Sequence, residues 1–237
     1  MNPDIAVPAT SADLPPAVLH TRDARGVHSL VLNRPATFNA LSEEMLAALQ
    51  AALDAVALDA SARIVVLSAQ GKAFCAGHNL KEMRAHPELA YYQKLFAQCT
   101  RMMLSIQHLP VPVIAKVQAL ATAAGCQLVA QSDLAVAASQ ATFGVNGIDV
   151  GLFCATPSVP LVRNMPAKQA MEMLLTGEFI TADEARARGL VNRVVPLDAL
   201  DAEVEKMVQA ILAKPREAVA MGKALFYKQR ETGIEAA

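Results

Sequence analysis

An α/β layered fold is predicted by three features of the 237-residue chain. Apolar runs rich in β-branched residues recur at 27–32, 63–69, 113–117 and 134–138. Between them lie stretches whose apolar residues fall three and four apart, and strands alternating with helices mark layered α/β domains. Hydrophobic residues make up 54% and charged ones only 18%, enough apolar material for one large core.

In chain order, residues 1–17 read as a flexible leader. The first sixteen hold four prolines and two aspartates but no Lys or Arg. A secretory signal needs a basic start and an apolar stretch, and a mitochondrial transit peptide needs arginines, so a cytoplasmic location is expected. Strand 27–32 ends in a turn at Asn33-Arg34-Pro35. Ser42 is placed as an N-cap, with Glu43 and Glu44 where the helix dipole favours acids. Met45, Leu46, Leu49, Leu53 and Val56 then form an apolar stripe. Strand 63–69 leads through the turn Gln70-Gly71-Lys72 into residues 73–80, small and irregular, read as a loop entering a helix near Lys81. A long amphipathic helix covers 91–106.

Pro110 and Pro112 precede strand 113–117, and residues 121–131 read as a tight turn feeding a helix before strand 134–138. Pro166 fits the first turn of a helix that ends near Gly177. Thr181 and Glu184 have capping-box spacing, and Gly189 suits the position just past a helix end. Residues 191–195 read as a short strand. From Leu197 the pattern is helical to the last residue, where it stops without a cap, so a terminal helix is expected to be missing.

The 21 basic and 22 acidic residues leave a net charge of −1, with no excess to neutralise a phosphate backbone, so no nucleic-acid partner is expected. The most apolar region, 111–126, is too short for a membrane span and is broken by Pro112, Lys116 and Gln118. Cys75, Cys99, Cys126 and Cys154 fit no zinc or thioredoxin spacing and read as free, buried thiols. No metal-ligand spacing is visible. So low a charge content points to surface hidden against further copies of the chain.

Two segments, Cys75-Ala76-Gly77-His78 and Ala123-Ala124-Gly125-Cys126, place small residues at the mouth of a helix. Backbone N–H groups there lack intrahelical partners and can hold an anionic oxygen. Tight helix–strand packing is the competing explanation, and spacing alone favours it.

The motifs resolve further by resemblance. Leu32-Asn33-Arg34-Pro35 with Asn39-Ala40-Leu41-Ser42, the run from Phe74 to Met83, Ala123 to Leu128 with Asp133, Phe143-Gly144, Gly151-Leu152 and 174–177 together resemble the enoyl-CoA hydratase/isomerase, or crotonase, superfamily. The likeness covers about Val18 to the last residue, and residues 151–157 and 222–229 resemble one branch of it. It implies a spiral of ββα units over 18–196 and a C-terminal helical region over 197–237 used to form trimers, which stack into hexamers. It also implies an acyl-CoA thioester ligand, with coenzyme A as part of the substrate and no permanently bound cofactor. By motif position, the backbone N–H groups of His78 and Ala124 become an oxyanion hole for the thioester enolate. The nucleotide and pantetheine fall along Phe38, Ala40, Ala76 and Leu80. The motif uses the main chain of His78, so its imidazole is expected to be incidental.

The sequence departs from this pattern at two positions. Hydratases of the family carry a glutamate where this chain has Gln127, and a second where it has Gly147. Gln cannot exchange a proton near neutral pH, and Gly has no side chain. Full hydratase activity is therefore not expected. Asp149 is the nearest replacement carboxylate, with capping as its competing role, and Asp133 a weaker one. Two alternatives stay open: an enzyme using the enolate-stabilising turns, and a non-catalytic acyl-CoA-binding or regulatory protein.

Overall fold

The computed structural model describes residues 15–236. Among these residues ten strands form two sheets. The larger has six, in the order β1 (Val18–Arg22), β2 (Val27–Leu32), β3 (Ile64–Ala69), β5 (Val113–Val117), β7 (Leu134–Ala138) and β10 (Arg193–Val195). β1 runs antiparallel to β2, and the remaining pairs are parallel. The smaller sheet has four short strands: β4 (Ala73–Cys75), β6 (Leu120–Thr122), β8 (Thr142–Gly144) and β9 (Ile180–Thr181). The chain alternates between sheets, so β3–β4, β5–β6 and β7–β8 are successive turns of a spiral, each closed by helix.

Among the described residues nine α-helices accompany the sheets: α1 (Glu43–Leu58), α2 (Leu80–Ala85), α3 (Leu89–His108), α4 (Ala124–Gln131), α5 (Ala155–Asn164), α6 (Ala167–Thr176), α7 (Ala182–Ala187), α8 (Leu200–Leu212) and α9 (Arg216–Gln229). This is the crotonase spiral that the motifs imply. Residues 1–14 of the leader lie outside the described residues. Pro15 and Pro16 already accept hydrogen bonds from Arg34 and Asn33, and Ala17 is buried.

Period-2 alternation explains why strands such as 63–69 read as continuous apolar runs. Leu30, Val65, Leu67, Ala115 and Ala137 face the main core under α1, α3 and α4. Val27, Ile64, Ile114, Val136 and Ala138 face a second core roofed by Leu200, Val204, Met207 and Val208 of α8. A sheet covered on both faces has no polar side to show.

The helix boundaries follow their local chemistry. The Ser42 side chain accepts the Met45 N–H at 3.1 Å, as its N-cap role requires. Thr181 and Glu184 form a full capping box, and Gly177 ends α6 in the left-handed region. The loop expected over 73–80 contains β4, and the turn expected at 121 contains β6; strands this short show no alternation. β1, β8, β9 and α5 also arise without a sequence forecast. α5 holds Pro157 and Pro160, which obscure a helical reading.

α9 has no fully buried residue and is held mainly by one polar anchor. Lys223 reaches through to the carbonyls of Ile106 and Val111 and to Asp133 Oδ2 at 2.7 Å. Tyr227 donates to Asp133 Oδ1, and the Val113 N–H to Oδ2. Burial pushes the Lys223 ammonium below its usual range, with Asp133 opposing that shift. Asp133 is thus an internal ion-pair partner.

Candidate active site

The first motif makes a clamp. Phe38 and Asn39 take left-handed backbone angles, φ +53° and +54°. The fully buried Asn39 side chain accepts the Arg34 N–H and donates to the carbonyls of Gln70 and Ala73. Residues 38–41 are thereby laid beside the second motif. The Ala76 N–H donates to Phe38 O, Leu41 N–H to Gly77 O, and Asn79 N–H to Leu41 O. This bridge leaves the His78 N–H without a backbone acceptor among the described residues.

The third motif begins at a strained point. Ala123 has φ +50° and ψ −122°, a region that L-residues rarely occupy. It turns the chain from β6 into α4, whose first N–H, on Ala124, also lacks a backbone acceptor among the described residues. The two small-residue turns touch. A Cβ built on Gly77 would lie 2.8 Å from Ala123 Cβ and 3.2 Å from the Ala124 nitrogen, and one on Gly125 only 2.0 Å from Cys75 O. Small residues are required at both, and the packing explanation holds together with the shared opening described next.

Both turns line one cavity of about 410 Å³. Ala76, His78, Leu80, Thr122 and Ala124 form one part of its wall, and Met83, Phe96, Leu152, Phe153 and Pro157 the apolar remainder. No lining residue is Asp, Glu, Lys or Arg. The first turns of α4 and α5 both belong to the wall, so two positive helix ends supply its field.

His78 is the titratable ring of the cavity. Phe96 packs edge-on against it, with centroids 5.3 Å apart, and neither ring nitrogen has a hydrogen-bond partner among the described residues. Burial pushes its pKa down to about 4, with the Leu41 backbone acting the other way. Folding therefore favours the neutral ring. The unfolded chain takes up protons from about pH 6.5 downward, and the folded one only near 4. The contribution of His78 to stability is expected to be constant above pH 6.5 and to fall by about 3 kcal/mol as pH drops through that window. Urea midpoints at pH 7.5 and 4.5 measure this, and His78→Leu should reduce the difference by the His78 share.

The other expected site residues separate. Gln127 lies on α4, 5% exposed, and is not part of the cavity wall; its Oε1 has no partner among the described residues. Gly147 lines the cavity, but its side-chain direction is filled: an added Cβ would meet Leu152 O at 2.3 Å and Cys154 Sγ at 2.8 Å. Asp149 is exposed, with its carboxylate against Gly177, and is not on the cavity wall. Phe38 and Ala40 lie outside the wall, on the clamp beside Ala76. All four cysteines are free and buried; burial pushes Cys75 and Cys126 up to about 12, and Cys154 upward as well.

Two polar residues of the cavity escape the sequence reading: Thr122, which precedes the third motif, and Asn146. Thr122 donates to Asn146 Oδ1 at 2.6 Å. The fold also builds a His20–His28–Asp59 chain at the edge of the larger sheet, from residues with no neighbouring pattern in the sequence. None of the three lines the cavity.

The spiral of paired sheets with two touching turns at one cavity defines the crotonase class. The enoyl-CoA hydratase/isomerase family profile matches residues 22–236, and the chain belongs to that family. Within it, the chain is similar to the protein named enoyl-CoA hydratase domain-containing protein 3, mitochondrial. Identity to the mouse protein is 43% over 228 residues, covering 96% of this chain and 76% of the mouse protein. Identity to the Xenopus laevis protein is 46% over 204 residues, covering 86% and 69%. The human protein's crystal structure superposes with a TM-score of 0.90 at 42% identity, covering 93% of this chain and 87% of that one. A crystal structure described as enoyl-CoA hydratase from Mycobacterium smegmatis gives a TM-score of 0.93 at 64% identity, covering 94% and 86%.

The cytoplasmic expectation is overturned. The mouse, rat, Xenopus laevis and human relatives are all named mitochondrial. The expectation rested on the composition of the first residues, which does not report where a folded body of this kind works. No helix among the described residues is long and apolar enough to cross a membrane.

Proposed function

We propose that the cavity holds the acyl end of an acyl-CoA thioester, its carbonyl oxygen accepting from the backbone N–H groups of His78 and Ala124. One observation carries this reading: two turns from separate spiral layers meet at Gly77 and Ala124, each with a backbone N–H that lacks a backbone acceptor among the described residues. The helix ends in the wall favour negative charge on that oxygen, as in an enolate. Phe38, Ala40, Ala76 and Leu80, ranged along the clamp, receive the rest of coenzyme A. The uncharged wall leaves hydration without the two carboxylates it needs, since each general acid or base supplies about 10² to 10⁴ in rate. Asp149 faces Gly177, so the protein acts by polarising the thioester, with no acid or base role for that carboxylate.

The absence of any carboxylate from the wall favours a second reading, in which the protein binds acyl-CoA without reacting. Butyryl-CoA incubated in D2O separates the two. Enolate stabilisation is expected to exchange α-hydrogens for deuterium, the solvent taking the proton and returning a deuteron, read by mass spectrometry, while crotonyl-CoA is not hydrated at a hydratase's rate. Binding without exchange would favour the second reading, and rapid hydration would refute the roles given to Gln127 and Gly147.

Exposed apolar residues of α9, Met221, Leu225 and Phe226, support assembly into trimers or hexamers through the C-terminal helical region, and Val159, Val162, Met171 and Leu175 of α5 and α6 add apolar surface outside it.

A further inference from the structure

We propose that Asn146 is a specificity residue that selects acyl groups bearing a hydroxyl or carbonyl oxygen on their first few carbons. The inference rests on the acyl-CoA reading above. The Thr122–Asn146 separation of 2.6 Å suits O–H···O and is short for N–H···O. The amide oxygen therefore faces Thr122, and Nδ2 is turned the other way. Nδ2 finds no acceptor among the described residues, yet it is not one of the closed-off polar atoms there. Thr122 and Asn146 both belong to a wall otherwise built largely from Met83, Phe96, Leu152 and Phe153, so we assign this unpartnered amide donor to a ligand.

Position narrows the ligand. Thr122 lies two residues before Ala124, so the Thr122–Asn146 pair stands within about 7 Å of chain from the proposed carbonyl site. An oxygen near the thioester is within reach, and one at the far end of a long chain is not. The amide carries no proton to give, so Asn146 recognises an oxygen without reacting with it. An oxygenated acyl group entering an apolar wall without this donor would lose its water uncompensated, which is the basis of discrimination. Gly147 is next in the chain and carries no side chain, so the polar role at this turn falls to its neighbour.

Calorimetry with 3-hydroxybutyryl-CoA and butyryl-CoA tests the proposal. The unmodified protein is expected to bind the hydroxylated ester about tenfold more tightly, the worth of one hydrogen bond in a desolvated site. Asn146→Leu should bring the ratio of affinities near one. Thr122→Val, which keeps the amide but removes its anchor, should reduce the ratio several-fold. A melting curve establishes that each variant is folded, and if the leucine variant is not, the valine variant decides. Equal affinities in the unmodified protein, or a ratio unchanged in a folded variant, would overturn the assignment while leaving the acyl-CoA reading intact. Failure of both esters to bind would remove that reading itself, and this inference with it.

Discussion

Asp133→Ala is expected to cost about 3–5 kcal/mol and to loosen α9 from the body. The substitution strips three donors at once: the Lys223 ammonium, the Tyr227 hydroxyl and the Val113 N–H. Lys223 and Asp133 side chains are only 7% and 13% exposed, so the lysine is left charged, buried and without its counter-ion. Breaking a buried pair from one side is costly for that reason. Urea denaturation measures the loss. The double variant Asp133→Leu with Lys223→Met should recover much of it, because removing both charges together leaves no uncompensated one. A cost near zero for the single variant would mean that α9 does not depend on this anchor.

Gly125→Ala is the second large effect, expected to cost about 3 kcal/mol and to abolish acyl-CoA binding. Its added Cβ would sit 2.0 Å from Cys75 O, with the Cys75 carbonyl carbon and Cβ also inside 3 Å. The obstacle is backbone on the strand that carries the second motif, so no side-chain rotation relieves it. Either α4 or β4 must move, and overpacking of this kind costs about 1–3 kcal/mol or more. The same shift parts Gly77 from Ala124. Thermal melting and calorimetry with butyryl-CoA read the two consequences separately. Unchanged binding in the variant would remove the close contact of the turns from the account.

Much of the architecture is legible in residue order. β2, β5 and β7 emerge at the bounds their apolar runs predict, and β3 differs by one residue. Ser42, the Thr181–Glu184 box and Gly177 act locally, through hydrogen bonds or a backbone angle that need no distant partner. The smaller sheet is different in kind. Its strands have two or three residues each and exist because the spiral stacks them, so no periodicity within any one of them announces it.

The site divides along the same line. By itself the sequence determined the family and the two glycine-bearing turns, because each is a matter of which residue stands in a motif. Tertiary structure alone decided which groups share a cavity. It brought Thr122 and Asn146 together across 24 positions, turned Asp149 toward Gly177, filled the side-chain space at Gly147 and left Gln127 off the wall. The physical reason is that hydrogen bonds, exclusion and desolvation act over a few ångströms of space, whereas sequence separation records only distance along the chain.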